Sequence, residues 1–138
     1  MKYISIIILT LLMLSCSLSK SSNRGAPSYT QFEDTNAAYK IYKIDSIKSW
    51  YVIYARNGGY RYKIISQKCP PLQGVKIRKN KSYNLRLIST RHYPNAPTNY
   101  LDIPCFMLDE QTPMCLEPRK EIYDVHYTKD LKGLYFSR

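Results

Sequence analysis

The first grouping in this chain that could do chemistry is a thiol set directly behind a small residue and a long apolar run. Lys2 supplies a positive charge, Tyr3 to Leu14 are almost all apolar, and Met13-Leu14-Ser15 lead into Cys16. That pattern is a secretory leader ending in a lipobox. Cleavage ahead of Cys16 would expose its amine for an acyl chain such as palmitate, and its thiol would carry a diacylglycerol. These twelve residues, at about 1.5 Å rise each, cover roughly 18 Å of a hydrocarbon core that is about 30 Å thick. The run therefore reads as a leader, and membrane attachment is expected through the lipid on Cys16.

Cys69, Cys105 and Cys115 remain beyond the anchor. An exported protein meets an oxidising compartment, so pairing is expected where geometry allows. Cys105 and Cys115 enclose nine residues with a turn expected near Asp109 to Thr112. Cys69, just before Pro70-Pro71, would then be the odd thiol. Pairing of Cys69 with Cys105 or with Cys115 stays open, because sequence does not fix connectivity. The three cysteines with His92 and His126 match no zinc spacing, so neither metal nor cofactor is expected. Cys69 has no neighbouring His to activate it, and His126 between Val125 and Tyr127 reads as structural. The adjacent Asp109-Glu110 reads as a turn, not as an acid and base pair. Glycine-rich phosphate loops, G-x-S-x-G and H-E-x-x-H are all missing from the sequence. A non-enzymatic protein is the expectation.

Charge carries the second signal. From Lys40 to Arg91 there are 13 Lys and Arg against the single acid Asp45, a net of +12, whereas His92 to Arg138 nets −2. A field of one sign over half a small domain concentrates anions beside it. The same half is rich in tyrosine, out of 14 in the chain. Tyrosine offers rigid amphipathic area to a ligand, and strands favour it for packing as well. A speculative ligand-binding set follows: Lys40, Lys43, Arg56, Arg61, Lys63 and Arg86 with Tyr54, Tyr60 and Tyr62. An exported address argues against nucleic acid as the partner. An anionic envelope molecule or a protein is expected instead.

The elements that would position these groups are strands. Tyr39 to Ile47, Trp50 to Arg56, Tyr60 to Gln67, Val75 to Arg78 and Ser82 to Ile88 are short runs rich in β-branched and aromatic residues. Asn57-Gly58-Gly59 predicts a tight hairpin. In its second arm Tyr60, Tyr62 and Ile64 alternate with Arg61 and Lys63, which predicts one buried and one charged face. Trp50 to Tyr54 is apolar on both faces, as suits a strand covered on both sides. His92 to Asn99 reads as a loop, Glu121 to Tyr127 as one or two helical turns, and Leu134-Tyr135-Phe136 as a closing strand. The fold class is mainly β: a small antiparallel barrel, OB-like, or a compact β-sandwich, with at most one short helix.

Ile44-Asp45-Ser46-Ile47 with Trp50 to Arg56 resembles a group of small, uncharacterised lipoproteins and secreted proteins of Bacteroides-type gut anaerobes. Lys63 to Ser66, Lys81 to Leu85, the two late cysteines, Ile122 to Tyr127 and Leu131 to Tyr135 carry the same resemblance. Members of that group often have a cysteine where this chain has Tyr135, which implies that one mature cysteine here lacks its partner. The resemblance brings no activity with it. The expected organisation is a leader over residues 1–15, a lipidated Cys16 with a flexible tether to residue 37, and one β-rich domain over 38–138. The absence of acids directly after Cys16 favours the periplasmic face of the outer membrane, with surface exposure left open. The expected role is binding of an anionic or protein partner through the basic, tyrosine-rich half. An immunity or inhibitor protein that occludes a toxin or enzyme is the alternative.

Overall fold

The computed structural model describes residues 34–92 and 104–136. The leader, Cys16, nearly all of the tether and the loop after His92 lie outside the described residues. Strands β1 (Thr35–Ile47), β2 (Trp50–Asn57) and β3 (Tyr60–Gln67) run antiparallel through two tight turns. Gly58 and Gly59 both take positive φ, 55° and 92°, as the short hairpin connection between β2 and β3 requires. β4 (Ser82–Ser89) pairs with the first half of β1. β5 (Cys105–Asp109) and β6 (Thr112–Cys115) form a separate hairpin. β7 (Val125–Tyr127) returns to the barrel, and β8 (Leu131–Lys132) and β9 (Tyr135–Phe136) close the chain as a small hairpin.

The barrel order is β1-β2-β3-β7-β4, closing back on β1. Every strand of a closed barrel has two neighbours, and β1 divides its length between them. Thr35 to Lys40 face β4, Lys40 to Ile47 face β2, and the register shifts between Ile41 and Lys43 where the strand bends. The OB-like alternative is thus the one realised, with two refinements. β3 and β7 run parallel, so the barrel is mixed and not purely antiparallel. Thr35 to Ala37 belong to β1, so the domain begins inside the stretch read as tether.

Other local expectations change for tertiary reasons. Residues 125–127 are a strand and not a helix, because β7 fills the gap between β3 and β4. The helical content nearby is a single 3-10 turn, Pro118–Lys120. Val75 to Arg78 contributes one bridge, Lys76 to Tyr135, and no full strand.

Two apolar clusters result. One fills the barrel with Tyr39, Ile41, Ile53, Ala55, Tyr62, Ile64, Leu85 and Leu87, and Ile77 of the β3–β4 connection packs into it with Leu131 and Leu134 of the C-terminal hairpin. The second lies on the outer face of β2 and β3, where Val52, Tyr54 and Ile65 meet Met114, Ile122 and Val125, with Trp50, Phe106 and Leu108 beside them. The β5–β6 hairpin therefore covers the sheet from outside. That cover is why Trp50 to Tyr54 can be apolar on both faces.

Candidate binding face

The outer faces of β1, β2 and β3 bring the basic residues together in two rows. In the first, Lys43 is in register with Tyr54, and Tyr54 with Lys63. In the second, Lys40 is in register with Arg56, and Arg56 with Arg61. The rows are adjacent on one surface, yet their environments differ sharply.

In the first row Tyr54 and Lys63 are covered by the segment that follows β6, whereas Lys43 stays exposed. Lys63 is only 5% exposed, against the charged, open face expected of it. Its Nζ donates to Cys115 O and to Glu117 Oε1, each at 2.7 Å, and the Tyr54 hydroxyl donates to the same Oε1 at 2.7 Å. Lys120 bonds the other carboxylate oxygen of Glu117. Burial pushes the Glu117 carboxyl up, but the hydrogen bonds from Lys120, Lys63 and Tyr54 outweigh it and hold the group at about 2. Burial, then the bond to Glu117, raises the Tyr54 phenol. The Tyr54 ring also has the ammonium groups of Lys43, Lys63 and Lys120 at 5.1, 5.8 and 5.8 Å from its centroid, each a cation–π contact. Lys43 is further paired with Asp45. Tyr54 and Lys63 thus leave the candidate ligand set, because their polar atoms are spent on holding the cover down.

Tyr62 leaves it as well. It is 5% exposed inside the barrel, edge-on to Tyr39 at 5.0 Å and to His126 at 5.4 Å. Burial pushes its phenol up to about 12. Arg86 stands on β4 opposite Asn36, away from the two rows, and its backbone N–H donates to Asp130 Oδ2 at 2.5 Å.

The Lys40–Arg56–Arg61 row remains open, all three residues exposed. Among the described residues no ion pair engages Lys40 or Arg56. Arg61 Nε lies 3.8 Å from Glu121 Oε2, a loose pair with both side chains about half exposed. Tyr42, absent from the expected set, supplies the aromatic floor: the Arg56 guanidinium lies 5.7 Å from its ring centroid. Tyr60, beside Arg61 at the hairpin turn, is 38% exposed. The remaining site is three cations in one row across three strands with Tyr42 beside them. It can offer planar, multidentate donors to phosphate or carboxylate groups.

Glu117, Lys120 and Glu121 are the residues that sequence reasoning missed. Their signal was the charge split between the two halves of the chain. Part of that split is settled internally, since Lys63, Arg61 and Arg91 of the basic half meet Glu117, Glu121 and Asp124 of the acidic half.

The cysteines follow the hairpin. Cys105 and Cys115 are register partners of β5 and β6 and are joined by a disulfide. Cys69 is free and half-buried, and its Sγ lies where a β-carbon on Gly133 would come within 2.9 Å. The hairpin tip is clasped to the β1–β2 turn: Trp50 Nε1 and Ser49 Oγ donate to Asp109 Oδ2 at 2.7 and 3.3 Å, and Lys48 Nζ bonds Gln111 O. The polar cleft between the two turns has a volume of about 620 Å³. Glu110 and Gln111 form the turn of that hairpin, as the reading of Asp109-Glu110 required.

A serine, a carboxylate and an imidazole also meet at the junction of β4 and β7. Ser89 Oγ donates to Asp124 Oδ2 at 2.6 Å, Val125 N–H donates to Oδ1 at 2.7 Å, and His126 Nε2 is 3.8 Å from Oδ2. The carboxylate stands between the other two groups, and Ser89, Asp124 and His126 are all buried. A serine activated for attack would donate to the imidazole instead. Here the hydroxyl is a tie between β4 and β7. Among the described residues no group of three or more His, Cys, Asp or Glu side chains is placed to hold a metal ion.

Compared with protein-family models, with curated proteins and with solved structures, the chain matches none.

Proposed function

We propose that this protein is a non-enzymatic envelope lipoprotein that binds an anionic partner through the Lys40–Arg56–Arg61 row and the adjoining Tyr42. In this reading Cys16 carries the lipid, and the barrel faces the periplasm from the outer membrane. One observation supports the binding role above the others. Three like charges stand in register across adjacent strands, an arrangement that destabilises a sheet by a few tenths to about 1 kcal/mol per directly opposed pair. A surface that only needed solubility would be better served by alternating signs. Phosphate groups of lipopolysaccharide and carboxylates of acidic glycans fit the donor set.

The test is retention of the protein on immobilised lipopolysaccharide and acidic glycans over a salt gradient, for the natural chain, for Arg56→Gln/Arg61→Gln and for the exposed control Lys129→Gln. The natural chain and the control should elute together at elevated salt. The double variant should elute early, with most of its salt dependence gone. Equal elution of all three would overturn the proposal.

A further inference from the structure

The connection between β3 and β4, Lys68 to Lys81, has no helix or strand of its own over fourteen residues. Loops of that length inside compact domains usually have a task. This one contains Lys68, Lys76, Arg78, Lys79 and Lys81 and no acid. All five cations are exposed, and among the described residues none makes an ion pair. Between the first two cations the loop presents apolar groups to solvent. Leu72 and Val75 are 41% and 55% exposed, two of the four large hydrophobics so exposed among the described residues. Pro70 and Pro71 are exposed beside them.

The Val75 side of this display is fixed by the fold. Val75 O accepts the Phe136 N–H at 2.8 Å, and two residues later the Ile77 N–H donates to Leu134 O at 2.8 Å while the Ile77 side chain enters the barrel core. Asn80 and Lys81 are bonded to Ile41 on either side of its peptide, at 2.7 and 2.9 Å. Val75 is therefore held outward by a backbone pinned on β9 and β1. Ordering costs that usually weaken binding by a loop are already met in folding.

We propose that this loop seats the barrel on a phospholipid surface of negative charge, with Leu72 and Val75 entering the headgroup region and the five cations facing lipid phosphates. Apolar tips ringed by Lys and Arg are the composition that lies at such an interface. Each cation near an anionic leaflet is worth about a fivefold gain in binding. A second copy of the chain is a poor occupant, because face-to-face contact would oppose two sets of five unpaired cations. The occupant is also close at hand in the lipoprotein reading, on which this inference rests. Only eighteen residues separate Cys16 from Thr35, which at full extension hold β1 within about 60 Å of the anchored leaflet.

The test uses the full chain, purified in detergent and reconstituted into vesicles of phosphatidylcholine with or without phosphatidylglycerol. Trp50 is the only natural tryptophan, so a Leu72→Trp variant adds one reporter to a constant background. A Met107→Trp variant places the control on another exposed apolar site. Co-flotation with the neutral vesicles reports the N-terminal anchor, and quenching by brominated lipid reports seating of the loop. Quenching at position 72 should be several-fold stronger than at position 107 in the anionic vesicles. It should fall in the neutral ones, and also at about 1 M salt, where the Debye length shrinks to roughly 3 Å. Adding Lys76→Gln, Arg78→Gln and Lys79→Gln should abolish it. Anchored protein with equal quenching at the two positions, or with quenching at 72 that ignores lipid charge, would overturn the seating while leaving the anchor intact. Failure to float with neutral vesicles alongside charge-dependent quenching at 72 would overturn the anchor and leave the seating.

Discussion

Replacing Glu117 by glutamine should cost more than its position just before a short 3-10 turn suggests. The carboxylate accepts from Tyr54 and Lys63 at 2.7 Å each and bonds Lys120, and its side chain is 18% exposed. Lys63 on the other side is 7% exposed. Removing one partner of such a pair leaves a buried charge without compensation, which costs about 3–5 kcal/mol in full burial. Glutamine still accepts from Tyr54, and Cys115 O still accepts from Lys63, so about 2–3 kcal/mol is expected here. For a domain of this size that corresponds to a fall in Tm of roughly 10–20 °C. The double variant Lys63→Met/Glu117→Gln removes both charges and should return to within about 1 kcal/mol of the natural chain.

The same site sets an acid limb. The folded carboxyl is held at about 2 from an ordinary value of 4.5. Its contribution is therefore complete above pH 4.5 and is lost as pH falls towards 2. Taken whole, that lowering is worth about 3 kcal/mol, and solvent screening at the Lys120 side reduces it to about 1–2 kcal/mol. Urea unfolding followed by Trp50 fluorescence at a series of pH values measures both effects. The natural chain should lose stability between pH 5 and 2 more steeply than the Glu117→Gln chain. Superimposable acid limbs, or a neutral-pH difference within about 0.5 kcal/mol, would refute the reasoning.

Replacing Cys105 and Cys115 together by serine opens the clasp of the β5–β6 hairpin, and should lower stability by roughly 2–3 kcal/mol in urea titration. The barrel should persist, read as unchanged far-UV circular dichroism, because its strands are paired independently of the hairpin. Gly133→Ala should destabilise by more than about 1 kcal/mol, since φ is +59° and the new methyl meets Cys69 Sγ at 2.9 Å. Adding Cys69→Ala should recover the steric part alone, so a thermal melt of the double variant should fall between the natural chain and the single variant.

Much of the fold is legible in the chain because its signals are local. Asn57-Gly58-Gly59 permits the positive φ of a tight hairpin, and the runs around it are β-branched and aromatic. The failures have one physical origin. Segments distant in sequence lie over surfaces that alternation alone assigns to solvent. Lys63 alternates with buried Tyr62 and Ile64, and every local rule places it in water. The segment from Cys115 to Lys120, about fifty residues later, covers it with a carboxylate that no local pattern pairs with it. Glu121 to Tyr127 fails similarly: Ile122 and Val125 have helical spacing, but an unfilled edge between β3 and β4 draws residues 125–127 into a strand.

The strand-rich class, the hairpin at Gly58-Gly59 and the concentration of charge in Lys40 to Arg91 are readable from the chain alone. All of these rest on residue type and short spacing. Which cations are spent internally and which stand free follows from how the strands and the later segments come together. Register across β1, β2 and β3 separates the buried Tyr54–Lys63 pair from the open Lys40–Arg56–Arg61 row, although Lys63 and Arg61 are two residues apart. Charge can be counted along a chain, but its availability depends on what folds over it, and that cover comes from sequence too far away to be read locally.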